Sequence, residues 1–272
     1  MAFSLRSRHT LLALGLVICI AATARAQQQE PFEPTVGQAG KDVVWVPTPP
    51  ELVERMLDLA NVTADDFVID LGSGDGRNVI AAAKRGARAL GVEYNPDMVE
   101  LSTRSAAAAG VSDKATFVEG DMYEADIQKA SVLALFLLPS NMEVLRPKFL
   151  ELRPGSRIVS NTFGMEPWSP DETVRMDEPC SAWCTALLWI VPARVGGTWR
   201  LPQGELTLEQ EFQQISGTLG AEAIADGRLR GDRIEFRVGG AQYTGTVTGD
   251  RIEGTVRGGG PQTTWTATRA GS

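Results

Sequence analysis

Histidine is almost missing from this chain of 272 residues, and the one present, His9, sits in an N-terminal stretch with the marks of an export leader. Arg6 and Arg8 precede an apolar run from Leu11 to Ala22, and Ala24-Arg25-Ala26 supplies a small-x-small cleavage site. The run falls short of the roughly 20 apolar residues that cross a bilayer, so cleavage near Ala26 and a periplasmic or secreted product are expected. A chain trimmed there has no histidine. Ser-His-Asp and Cys-His nucleophile systems, histidine-ligated zinc and histidine proton shuttles are then excluded. Positive charge is also scarce: 26 basic residues face 34 acidic ones, and three of the arginines belong to the leader. A nucleic-acid partner is therefore not expected, since phosphate backbones call for a basic surface. Outside the leader only two cysteines remain, Cys180 and Cys184, too few for a structural metal site, so no metal is expected. In an oxidising compartment they can form a short-loop disulfide or remain as two thiols; spacing alone leaves both open.

What is present falls into two patterns. Residues 27–40, rich in Gln, Pro and Gly, read as a flexible lead-in. Across residues 41–195 apolar strand-like runs alternate with helical patterns, the mark of an α/β doubly wound, mostly parallel sheet. Strands are expected at 67–71, 89–93, 115–118, 132–138, 158–161 and 185–191, with helices at 51–59, 79–85 and 96–109. Across residues 196–272 the pattern turns to short alternating segments between glycine turns. Gly231-Asp232 and Gly249-Asp250 repeat the same turn chemistry eighteen residues apart, which predicts a small antiparallel all-β barrel or sandwich.

The chemistry is concentrated after the first strand. Asp70 ends that strand, and Gly72, Gly74 and Gly76 follow at every second position before a helix. A dinucleotide site would space its glycines Gly-x-Gly-x-x-Gly to seat a pyrophosphate on the helix. The tighter Gly-x-Gly-x-Gly turn behind a carboxylate suits an amino-acid head group, with backbone N–H groups for its carboxylate and Asp70 for its ammonium. Glu93 ends the second strand, where a carboxylate can accept from both ribose hydroxyls. Asp121 follows the third strand, placed to accept from the adenine amine while Met122 packs on the ring. Three acids on successive strand ends favour a ligand with a sulfonium charge over one with phosphates. The expected cofactor is S-adenosyl-L-methionine.

Residues 41–193 resemble a class I S-adenosylmethionine-dependent methyltransferase. Within that superfamily Val44-Trp45-Val46-Pro47-Thr48-Pro49, Asp70 to Arg77, Leu137-Leu138-Pro139-Ser140 and Asn161-Thr162-Phe163 are similar to the protein-lysine methyltransferases related to the mitochondrial ATP synthase c-subunit enzyme. The resemblance implies cofactor contacts at Asp70, Gly72, Ser73, Gly74, Glu93, Tyr94, Asp121 and Met122, with Val46 to Pro49 closing over the ligand. It implies a methyl acceptor that includes protein lysine among its candidates, approached past Pro47, Thr48, Pro139 and Asn161. Tyr94 and Tyr123 are further channel candidates, and Trp168 is expected as a lid residue. Many amine methyltransferases carry an acidic residue or Asn, then Pro-Pro and an aromatic, after the fourth strand; Phe136-Leu137-Leu138-Pro139 stands here instead. The competing expectation is an envelope protein that binds the cofactor without turnover and uses the β module to hold protein or glycan.

Overall fold

Most helices of the first half open on a proline. Helix α1 (Pro50–Leu59) starts directly after Pro49, α3 (Pro96–Ala108) begins behind Asn95, whose Oδ1 accepts from the Asp97 N–H at 2.9 Å, and α4 (Pro139–Phe149) follows Leu138. Proline suits this first position because its missing N–H would have no helical partner there. Helix α2 (Arg77–Lys84) is the exception and springs from Gly76 at φ 81°. The computed structural model that shows this describes residues 32–177, 180, 182–258 and 260–271. The leader expected at residues 1–26 lies outside the described residues.

The strands of the first half are β1 (Phe67–Leu71), β2 (Arg88–Glu93), β3 (Ala115–Glu119), β4 (Val132–Leu135), β5 (Arg157–Asn161), β6 (Glu172–Arg175) and β7 (Thr185–Ile190). They form one sheet in the order β3-β2-β1-β4-β5-β7-β6, parallel from β3 to β5 and antiparallel at β7 and β6. Alternate residues of β1 feed opposite layers: Val68 packs with Met56 and Leu57 of α1 and Val79 of α2, while Ile69 and Leu71 pack with Met142, Leu145 and Phe149 of α4. Burial on both faces explains the unbroken apolar run of β1. Chain order reverses between β1 and β4, and at such a switch point an open α/β sheet leaves a crevice at the carboxyl ends of its strands.

The second half holds β8 (Gly197–Leu201), β9 (Gly204–Glu211), β10 (Gln214–Leu219), β11 (Glu222–Ala223), β12 (Ala225–Arg230), β13 (Arg233–Val238), β14 (Ala241–Thr248), β15 (Arg251–Arg257) and β16 (Thr263–Arg269). All pairings are antiparallel, and β9 pairs with both β8 and β10, so eight strands close on themselves with β11 attached outside. Closure makes this a barrel and not a sandwich. Strand β13 shows the pattern behind it: Ile234, Phe236 and Val238 point in while Arg233, Glu235 and Arg237 point out. Trp199, Phe236 and Trp265 fill the interior, and Gly231-Asp232 and Gly249-Asp250 turn the two expected hairpins.

The barrel docks on the first sheet through a mixed contact. Trp168, fully buried, stacks on Phe212 with ring centroids 5.7 Å apart; Arg228 pairs with the buried Asp171 at 2.8 Å, and Gln213 Nε2 donates to the Ser169 carbonyl at 2.8 Å. Trp168 is therefore core and not the expected lid, because the docked barrel covers the loop that carries it. Two further expectations need correcting. The run 132–138 is strand only to Leu135, and β6, short and polar, has no counterpart in the sequence reading. Cys180 and Cys184 are bridged, with Cα atoms 5.9 Å apart.

Candidate functional site

A cleft of about 910 Å³ of empty space, open solvent included, lies at the carboxyl ends of β1, β2 and β3. Asp70, Glu93 and Asp121 all line it, together with Gly72, Ser73, Gly74, Tyr94 and Met122. The eight residues expected as cofactor contacts thus face one cavity.

The glycine turn is shaped by what stands against it. Gly74 takes φ 55°, and a Cβ there would sit 2.7 Å from Nε1 of Trp45; Gly76 takes φ 81°, and a Cβ there would lie 2.6 Å from the Phe117 ring. A side chain at either position would meet both strain and collision. The Gly74 N–H donates to Oε2 of Glu93 at 2.8 Å, and the Asn95 N–H donates to the other oxygen at 3.0 Å, so Glu93 is held from both sides at the end of β2.

Asp70 is buried, and its Oδ2 accepts from Asn78 Nδ2 at 3.1 Å. Burial pushes its carboxyl well above the usual range; the Asn78 bond opposes this, and the negative charges of Glu93 and Asp75 add to it. Asp121 shows the opposite behaviour. Lys41 Nζ approaches its Oδ2 at 2.5 Å and the Tyr123 N–H reaches Oδ1 at 2.9 Å, and the Lys41 bond foremost holds Asp121 below the usual range. Lys41 also stands 5.0 Å from the Tyr94 ring centroid.

The cleft is roofed by the segment before α1. The Gly37 N–H donates to the Trp45 carbonyl and the Trp45 N–H to the Gln38 carbonyl, so residues 37–45 fold back on themselves. Gln38 to Gly40, expected within the lead-in, line the cleft with Trp45, Val46, Pro47 and Thr48. Arg77 fastens this roof: it pairs with Asp75 of the glycine turn and donates to the Thr48 carbonyl.

The remaining expected residues scatter. Asn161, fully buried at the end of β5, donates from Nδ2 to Thr48 Oγ1 at 3.3 Å and so adjoins the roof. Pro139 opens α4 and does not line the cleft, and Tyr123 accepts from Asn141 Nδ2 at 2.7 Å. Lys41, Trp45, Arg77 and Phe136 line the cleft without having been singled out as contacts. Trp45 lies inside the Val44 to Pro49 motif, whereas Lys41, 80 positions from its partner Asp121, carries no local signal.

Whether the residues fit the expected cofactor can be judged from their donors and acceptors. Ser73 Oγ and Asn78 Oδ1, both buried and lining the cleft, have no partner among the described residues. Together with three carboxylates, they match a ligand that presents an ammonium, ribose hydroxyls and an adenine amine, whereas the N–H groups of Gly72, Ser73, Gly74 and Gly76, expected to take the ligand's carboxylate, bond Val92, Glu93 and Ser73 instead. The acceptor set fits.

Comparison with known proteins agrees. The family described as the ANTKMT methyltransferase domain matches residues 70–172. The chain is 42% identical over 139 residues to a protein-lysine N-methyltransferase of Saccharolobus islandicus, covering 50% of this chain and 86% of that enzyme. It is 41% identical over 107 residues to the mouse lysine N-methyltransferase of the ATP synthase c-subunit, a match over 39% of this chain that spans only 43% of that relative's length. Among solved structures, an RNA methyltransferase from Salinibacter ruber in complex with S-adenosyl-L-homocysteine shares 45% identity at a TM-score of 0.52, over 55% of this chain and 96% of that one.

Proposed function

The chain belongs to the class I S-adenosylmethionine-dependent methyltransferases, within the group of protein-lysine enzymes related to the ATP synthase c-subunit methyltransferase, and from that premise we propose that its acceptor is a lysine amine of a protein. One observation carries the cofactor half: the carboxylates of Asp70, Glu93 and Asp121 line a single cleft around the glycine turn. The acceptor half draws on the relatives, which are named for protein lysine, and on the acidic balance of the chain.

The bound cofactor supplies an activated methyl on a sulfonium, so displacement asks the protein mainly for alignment. Asp70 would take the ammonium, Glu93 the ribose hydroxyls and Asp121 the adenine amine, while the roof from Lys41 to Thr48 excludes water. A protonated lysine cannot attack. Phe136 follows β4 where an acidic residue would otherwise stand, so the entering amine gives up its proton to water before it attacks.

The Salinibacter neighbour is named for RNA, but 34 acids against 26 bases give this chain little with which to hold a phosphate backbone. Transfer of labelled methyl from S-adenosylmethionine to total protein and to total RNA, followed by mass spectrometry, tests the reading. Label in protein hydrolysates as methyl-lysine is expected; label confined to RNA would overturn it.

We further propose export. The leader-like composition of residues 1–26 supports it, and so does the Cys180–Cys184 bridge, since disulfides persist mainly in oxidising compartments. Cell fractionation with N-terminal sequencing is expected to find the chain outside the cytosol and starting near Gln27. A full-length cytosolic chain would sink this.

A further inference from the structure

The cofactor-gripping carboxylates occupy the β1, β2 and β3 side of the cleft, which leaves the β4 and β5 side for the acceptor. Three aromatic rings gather there. Phe136 follows β4 and lines the cleft; Phe163 follows β5; Trp183 precedes β7, whose first residues lie beside the end of β5 because the two strands are antiparallel. Ring centroids are 5.9 Å apart for Phe136 and Phe163, 5.7 Å for Phe136 and Trp183, and 5.2 Å for Phe163 and Trp183. Each ring therefore touches the other two.

Such a group has a bland explanation, since aromatics pack together wherever apolar surface is available. Three observations weigh against packing alone. Trp183 is 39% exposed, so the cluster opens to solvent and is not sealed in the core. Its backbone takes φ 55°, and Thr162, the residue that turns Phe163 back, takes φ 61°; side-chain-bearing residues seldom adopt this conformation unless their surroundings hold them there. The holding is visible. Thr162 N–H donates to the Thr185 carbonyl at 2.7 Å, Met176 N–H donates to the Cys184 carbonyl at 2.8 Å, and the Cys180–Cys184 bridge closes the loop that carries Trp183. Finally, the cation–π contacts among the described residues lie elsewhere, at Lys41, Arg88 and Arg269, so no arginine or lysine of the described chain covers these rings.

Aromatic faces that meet beside a cleft and carry no cation of their own suit an alkylammonium. We propose that Phe136, Phe163 and Trp183 form an acceptor subsite for the aliphatic stem and ammonium of a lysine side chain, with the Cys180–Cys184 bridge positioning Trp183 as its third wall. The inference deepens the lysine-acceptor reading above and rests on it. It assigns the short disulfide loop a part in substrate selection, which the glycine turn and the strand-end acids do not require.

The test uses the full chain saturated with S-adenosyl-L-homocysteine and titrated calorimetrically with butyltrimethylammonium, a mimic of the charged side chain. Saturable binding is expected, weakened about tenfold by Trp183→Leu, which keeps bulk but removes the π face, and retained within about threefold by Trp183→Phe. The double variant C180S/C184S is expected to fall between the two. The affinity for S-adenosyl-L-homocysteine serves as the folding control and is expected to stay unchanged in all three variants. No binding to the wild-type chain, or equal binding to wild type and Trp183→Leu, overturns the subsite. Methyl transfer to polylysine is measured in parallel, with KM for polylysine expected to rise in Trp183→Leu more than kcat falls. Absence of transfer alongside Trp183-dependent binding counts against the lysine-methylation reading and leaves the subsite standing, so the two failures can be told apart.

Discussion

The two sheets of this protein use buried polar groups differently. In the first, carboxylates stand at the ends of adjacent strands and converge on one cleft, and Asp70 is buried there against the cost of desolvation. In the barrel, side chains alternate in and out with apolar residues filling the interior, and the described residues form no comparable convergence of acids. The first sheet tolerates electrostatic strain for the sake of a ligand, while the second is arranged as a packing solution. Their junction mixes both, with the Trp168–Phe212 stack beside the buried Asp171–Arg228 pair.

The largest expected effect tests whether the junction is structural. Trp168→Ala removes a fully buried indole between the sheets and should cost about 3–5 kcal/mol of stability. Denaturant unfolding measures it; a loss under about 1 kcal/mol would mean that the barrel is no support for the first sheet.

Asp70→Asn should separate ligand binding from stability. S-adenosylmethionine affinity is expected to drop about 100-fold, as for losing a charge-assisted contact of about 2–3 kcal/mol. The fold should gain stability at neutral pH, melting about 2–4 °C higher, as about 1 kcal/mol would give in a chain of this size. The sign follows from proton linkage. A carboxyl raised by folding binds its proton more tightly in the native state, so its contribution is greatest below the unfolded value of about 3.9 and declines as pH rises through the folded value. Cofactor binding runs the other way: affinity should fall as pH drops through the raised value, and binding should release protons, seen calorimetrically as buffer-dependent heat. A melting point lowered by the substitution, or heat indifferent to buffer, would contradict this account.

Arg228→Ala removes the guanidinium partner of Asp171 but leaves the Ile190 N–H bond to that carboxylate in place. A loss of about 1–3 kcal/mol is expected, with cofactor affinity unchanged. The smallest effect belongs to Lys41→Ala. Its bond to Asp121 is solvent-exposed and occupies the oxygen offered to the adenine amine, so cofactor affinity should tighten, by no more than about threefold. Weakened binding would instead make Lys41 part of the grip.

Much of the first sheet could be read in advance because its chemistry is local. Asp70 and the glycines lie within one turn, and Glu93 and Asp121 close strands whose apolar runs mark their ends. The barrel was legible as strands and turns, but closure depends on its last strand, β16, pairing back with its first, β8, with Thr268 opposite Arg200, a register that no local pattern encodes. Helix α4 is hidden in the sequence because Phe136-Leu137-Leu138 extends the apolar run of β4, although Pro139 marks the helix start. Trp168 misleads for a related reason: a tryptophan in a loop near the site looks available until a second domain covers it.

The sequence alone determined the residue types and spacings of the cofactor turn, the acids that follow the strands, and the alternation that makes the second half all-β, because each is fixed by periods of a few residues. Only the tertiary structure decided that Lys41 sits on Asp121, that Arg77 fastens the roof at Thr48, and that Trp183 meets Phe136 and Phe163. These contacts join segments tens of residues apart, and their geometry exists only once packing has brought the strand ends together.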